Sequence, residues 1–148
     1  MDTTISQLKK EHEQQLLASI IESADDAIIS KTLKGIVTSW NSAAKRIFGY
    51  SKKEIIGKPI TILFPPDRLN EEKMILKKII SGEKVDHFET IRVKKDGKKI
   101  WVSVTISPIK NEQGKIVGAS KIARDITEYK QLKLNQEILY SIIEFSDD

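Results

Sequence analysis

Between Val85 and Ile126 the chain reads VDHFETIRVKKDGKKIWVSVTISPIKNEQGKIVGASKIARDI, and this stretch constrains the fold most. It divides into three strands and two hairpin turns. Asp96-Gly97 marks a tight turn, because a two-residue hairpin loop needs the positive φ that glycine adopts freely. Asn111 to Gly114 forms the looser turn. The middle strand combines Trp101, Val102, Val104 and Ile106, residues that suit a pleated, half-buried surface. The last strand runs from about Ile116 to Arg124. Three consecutive strands require an antiparallel sheet, and such a sheet must bury one face against something else.

The segments upstream supply the cover. Residues 3–24 lack Gly and Pro and are rich in Gln, Glu, Lys and Leu, so they read as a helix, with Asp2 or Thr3 as its cap. AIISKTLKGIVTSWN reads as two strands around a turn at Leu33-Lys34-Gly35. Asn41 or Ser42 then caps a short helix with Ala44, Ile47 and Phe48 inward, stopped by Gly49. Ser51 and Glu54 form a capping box for a second short helix, ended by Gly57 and Pro59. After the prolines of LFPPDRLN, Asn70 opens a helix with Met74, Ile75, Ile79 and Ile80 inward, ending at Gly82. Past Asp125 the chain turns helical again. The order is helix, two strands, a block of short helices, three strands, helix: an α+β arrangement with helices on one face of an antiparallel sheet.

Both end helices carry a thin apolar stripe: Ile5, Leu8, Leu16 and Ile20 in the first, and Leu132, Leu139 and Ile142 with Asn135 in the last. A thin stripe suits a partner helix better than a deep core, so a homodimer through these residues is expected. Ser19–Asp26 reads SIIESADD and Ser141–Asp148 reads SIIEFSDD, identical at six of eight positions and 122 residues apart. The recurrence suggests tandem modules, with the second copy opening at the end of the chain.

At 148 residues, with 39% apolar and 31% charged side chains, one soluble domain is expected. No apolar run approaches 18 residues, so neither a membrane span nor a signal peptide is expected. The absence of cysteine excludes disulfides and thiolate chemistry; a cytoplasmic location follows as an expectation, with any membrane anchor elsewhere in a longer protein. The net charge is +4, with lysines paired at Lys52-Lys53, Lys77-Lys78, Lys94-Lys95 and Lys98-Lys99. These pairs fall at turns and helix exteriors among acids, which argues for a solvated surface rather than a nucleic-acid face.

In order and separation, GIVTSWNSAAKRIFGYSKKEIIGKPI, FETIRVKKDGKKIWVSVTISPI and GKIVGASKIARDIT resemble the PAS domain family in its S-box form, over about residues 17–128. Residues 1–24 then form a leading connector and 129–148 a linker helix with the start of a second repeat. The resemblance implies a five-stranded antiparallel sheet in the order 2-1-5-4-3 with short helices on one face. It implies a sensory module of a signalling protein such as a histidine kinase, beside a neighbouring repeat and an effector domain. The family's Asp-Ile-Thr ending matches Asp125, Ile126 and Thr127, where the signal is expected to pass into the last helix.

No enzyme is expected. The two histidines, His12 and His87, sit in no Ser-His-Asp arrangement, and neither a Walker loop nor GxGxxG occurs. Without cysteine, the photoactive members' covalent flavin adduct cannot form. Haem-binding members carry an axial His early in the helix after the Pro pair; the corresponding residue here is Glu71, a poor substitute for imidazole. No metal site is expected, and no cofactor; non-covalent flavin or a small metabolite stays open. The family places Ile28, Ile62, Phe64, Ile75, Ile79, Phe88, Val104 and Ile122 near its pocket, with Ser30, Asn41 and Arg124 as polar handles. Each handle has a structural alternative: a strand position for Ser30, a helix cap for Asn41, an ion pair for Arg124. Two readings follow: a ligand-responsive relay, and a ligand-free dimerisation and spacer domain.

Overall fold

The computed structural model describes residues 2–146. Helix α1 (Asp2–Ser23) leads into strands β1 (Ala27–Thr32) and β2 (Val37–Trp40). Helices α2 (Ser42–Phe48) and α3 (Lys52–Ile55), two 3₁₀ turns (Ile60–Leu63 and Pro66–Arg68) and helix α4 (Asn70–Ile80) follow. Strands β3 (Val85–Val93), β4 (Lys99–Lys110) and β5 (Ile116–Asp125) complete the sheet, and helix α5 (Thr127–Ser146) closes the chain. The strands form one antiparallel sheet in the order β2-β1-β5-β4-β3, as the resemblance implied.

Local chemistry sets the boundaries. Asn41 Oδ1 accepts from the Ala44 N–H and so caps α2, and Gly49 ends that helix at φ 88°. Ser51 and Glu54 satisfy each other's backbone N–H groups in a complete capping box. Gly118 has a different cause: a Cβ there would lie 2.6 Å from the Lys31 carbonyl oxygen, so only glycine lets β5 lie this close to β1. The expected cap of α1 and the last four residues of the Ser141–Asp148 repeat lie outside the described side chains.

The inner face of the sheet presents Ala27, Ile29 and Lys31 from β1, Val102, Val104 and Ile106 from β4, and Ala119, Lys121 and Ala123 from β5. Phe48, Ile55, Leu63, Ile75 and Ile79 pack over it. Each such side chain contributes about 1.5–3 kcal/mol by leaving water. In α4 the inward positions are Glu72, Ile75 and Ile79, spaced three and four apart. Met74 and Ile80, expected inward, are exposed, because each sits about 100° around the helix from that stripe.

α1 and α5 project from this body. Ile5, Leu8 and Leu16 on α1, and Leu132, Leu139 and Ile142 on α5, are all more than half exposed. Among the described residues no helix is long and apolar enough to cross a membrane.

Candidate functional site

Beneath α4 the interior is charged rather than oily. Lys31 on β1 reaches Glu72 on α4, with Nζ 2.8 Å from Oε1 and the lysine side chain fully buried. Burial pulls the Lys31 amine below its usual range, and Glu72 opposes that pull. Arg92 on β3 donates from Nη1 to Glu71 Oε1 at 2.8 Å and to the Ile91 carbonyl at 2.9 Å. Its guanidinium carbon lies over Phe64, 3.6 Å from the ring centroid. The Thr90 hydroxyl donates to Glu71 at 2.8 Å, and Arg68 Nη1 donates to Thr90 Oγ1 at 3.0 Å and Glu71 Oε2 at 3.2 Å. Burial would raise the Glu71 carboxyl, but Arg92, Thr90 and Arg68 together hold it below its ordinary value. Lys121 on β5 is fully buried, with Nζ 5.6 Å from the same Phe64 ring and no hydrogen-bond partner among the described residues.

A second set of contacts joins the sheet to α5. The Trp101 carbonyl accepts from the Ile126 N–H at 2.9 Å, and the Trp101 N–H donates to Thr127 Oγ1 at 3.0 Å. Asp125 Oδ1 accepts from the Thr127 N–H at 3.0 Å and from its hydroxyl at 2.6 Å. Lys130, one turn into α5, places Nζ 4.9 Å from the Trp101 ring centroid and pairs with Glu89 at 2.7 Å. Arg68 lies 5.8 Å from the same indole centroid. Arg68 therefore touches both the interior carboxylate cluster and the residue from which α5 hangs.

The expected pocket residues do not all converge. Phe64, Ile75, Ile79 and Val104 are buried on the inner side, and Phe88 packs partly against them. Ile28, Ser30, Ile122 and Arg124 lie on the opposite face of the sheet. Alternation puts Ile29, Lys31, Lys121 and Ala123 inward instead, and Ile28 sits directly across from Ile122. Ser30 bonds the hydroxyl of Thr38 at 2.7 Å. Arg124 grips Asp26 through Nε and Nη2, both at 3.1 Å. Ile122 and Arg124 line a shallow concavity of about 110 Å³ on this outer face. Ile62, in a 3₁₀ turn, is exposed. Asn41 is buried as a tie: Oδ1 accepts from the Ile28 and Ala44 N–H groups, and Nδ2 donates to the Ile21 and Asp26 carbonyls.

Sequence reasoning missed Lys31, Glu72, Arg92 and Lys121. The usable signal was charged residues at inward positions of strands, as in Ala119-Lys121-Ala123 and Thr90-Arg92. The residues do not fit haem: Glu71, in the place of the axial ligand, is committed to Arg92 and Thr90, and α4 carries no histidine.

A five-stranded sheet in this order, with short helices over one face and a helix leaving its last strand, defines the class of small sensory α+β domains. The chain matches the PAS domain family over residues 25–128 and belongs to it. It is 36% identical over 108 residues to Two-component system protein A of Emericella nidulans, covering 72% of this chain and 16% of that one. It is 35% identical over 112 residues to the signal transduction histidine-protein kinase AtoS of Escherichia coli, covering 76% of this chain and 18% of that one. The chain thus spans less than a fifth of the length of these curated relatives. A crystal structure of the PAS domain of a protein from Colwellia psychrerythraea superimposes with a TM-score of 0.68 at 32% identity, covering 78% of this chain and 98% of that one.

Proposed function

We propose that this domain relays a state of its interior to α5, and through α5 to an effector domain in a longer sensor protein such as a histidine kinase. The observation that carries this reading is the double use of Trp101, whose backbone N–H and carbonyl both bind the Asp125-Ile126-Thr127 joint. Arg68 gives the interior a path to that residue, since it binds Glu71 and Thr90 and lies against the indole. A rearrangement of the Arg92–Glu71 cluster moves Arg68, then Trp101, then the first turn of α5. The cradle is a two-state element only if its occupant or neighbour prefers one helix pose to the other.

The exposed stripes of α1 and α5 serve pairing with a second copy, so that two exit helices move together. In this reading the effector, not this domain, supplies the chemistry. The matching ends of α1 and α5 suit a chain of such domains joined helix to helix.

The test is a chimera in which this chain replaces the matched segment of AtoS. Thr127→Val, which removes the Trp101 contact, is expected to change autophosphorylation while the fold is retained. Unchanged output with a folded domain would favour the ligand-free spacer reading.

A further inference from the structure

We infer that an acidic, extended segment of a partner protein docks in the basic groove between the C-terminal end of α2 and the β3–β4 hairpin. The inference goes beyond the relay and does not depend on it.

Residues 45–54 and 94–99 together carry eight lysines and arginines against two acids, Glu54 and Asp96. That excess is larger than the net charge of +4 on the whole chain, so the rest of the chain is net acidic. The two segments are distant in sequence, and the fold brings them together. The Lys95 N–H donates to the Phe48 carbonyl at 2.8 Å, and Lys95 Nζ pairs with Glu54 on α3. Gly49 permits the approach, since a Cβ there would lie 3.2 Å from the Lys95 Cβ. The result is an open groove of about 400 Å³ lined by Arg46, Gly49, Lys94, Lys95 and Asp96. These ties hold its walls in place without a partner.

The acids at this end are already committed. Glu54 holds Lys95 and the Ser51 N–H, and Asp96 Oδ1 accepts from the Lys98 N–H. Arg46, Lys94 and Lys98 make no ion pair among the described residues. Arg46 on one wall and Lys94 on the other therefore leave a positive potential that a partner's carboxylates complement.

Other polyanions fit less well. Nucleobases need an aromatic platform, and here Trp40 and Phe48 are buried and Tyr50 packs against the core. A bilayer presents a plane and takes up apolar side chains, whereas these cations line a concavity with no large apolar residue among its lining. An extended peptide sends alternate side chains to opposite sides, so a run of acidic residues reaches both walls at once.

The experiment is an NMR titration of the chain with a short capped peptide of alternating Asp and Glu. Its Asn/Gln counterpart, a single-stranded oligonucleotide of equal charge and phosphatidylglycerol vesicles are titrated beside it. The acidic peptide is expected to shift the amide signals of Arg46, Gly49, Lys94 and Lys95, with an affinity that falls as salt is added. Arg46→Glu/Lys94→Glu, in which neither wild-type side chain is buried, is expected to stay folded and to bind about tenfold or more weakly. Arg46→Gln/Lys94→Gln removes the charges without reversing them and is expected to lose affinity by a smaller factor. Lys77→Glu/Lys78→Glu makes the same charge change on the exposed side of α4 and is expected to bind like the wild type. The inference is overturned if the acidic peptide shifts none of these signals or if the Asn/Gln peptide binds equally. It is also overturned if the groove and α4 charge reversals weaken binding equally, or if the oligonucleotide or the vesicles bind more tightly than the peptide.

Discussion

Lys31 and Glu72, 41 residues apart, form an ion pair inside the domain, with Nζ 2.8 Å from Oε1. The pair ties α4 to β1 and sets the height of α4 above the sheet. Glu72→Ala leaves the Lys31 charge buried and unpaired, which costs on the order of 3–5 kcal/mol. The double substitution Lys31→Met/Glu72→Leu removes both charges together and is expected to be neutral or stabilising. Urea unfolding of the three proteins checks this; equal destabilisation by the single and double changes would contradict it.

Asn41 makes four hydrogen bonds that join the end of α1, the start of β1 and the first turn of α2. Asn41→Ala orphans a buried N–H at Ala44 and part-buried backbone groups at Ile21, Asp26 and Ile28, and is expected to cost on the order of 1–3 kcal/mol. Asn41→Asp keeps the acceptor but loses the donor to the Ile21 and Asp26 carbonyls. It is expected to keep α2 capped and to release the end of α1, read as faster amide exchange near Ile21 than near Ala44.

Gly118→Ala tests the close approach of β5 to β1. The added methyl meets the Lys31 carbonyl oxygen at 2.6 Å, so the strands must part where the interior lysine is anchored. A loss on the order of 1–3 kcal/mol is expected, measured as a fall in the urea midpoint with an unchanged slope. A stability equal to the wild type would refute the packing account of this glycine.

Lys121 gives a pH dependence with a definite sign. Burial, with Arg92 and Lys31 adding repulsion, holds its amine well below the usual 10.5, against a smaller opposing pull from Glu72 and Glu71. Between the depressed value and 10.5 the unfolded chain binds a proton at this residue that the folded chain does not. Its contribution therefore makes stability rise with pH through that window. Lys121→Met removes the contribution, so the stability gain of the variant over the wild type is largest at neutral pH and shrinks toward alkaline pH. Paired urea titrations across that range check the sign, and a gain that grows with pH would contradict it.

The sheet and its boundaries were legible in the sequence because they rest on local chemistry. Asp96-Gly97, the Ser51–Glu54 box and the Gly49 stop each act over a few residues. The interior was not legible in the same way. β1 and β5 each carry an apolar residue on the outer face, Ile28 and Ile122, and a lysine that turns inward, Lys31 and Lys121, so hydrophobicity alone assigns the wrong parity. What holds Lys31 inside is Glu72, a partner far along the chain, while Lys121 is carried inward by the alternation of β5 between Ala119 and Ala123. Asp125, Ile126 and Thr127 were identified by family resemblance; their link to Trp101 is a tertiary contact that no local pattern contains.

The coupling between interior and exit helix is tested most directly by amide hydrogen exchange at Thr127–Gln131 in the wild type and in Lys121→Met. Lys121 lies one β5 segment before Asp125 and touches no residue of α5 among the contacts described. The relay predicts that the substitution changes protection across the first turn of α5 while the β1–β2 pairing keeps its own. Identical protection at Thr127–Gln131 in two equally folded proteins would contradict it.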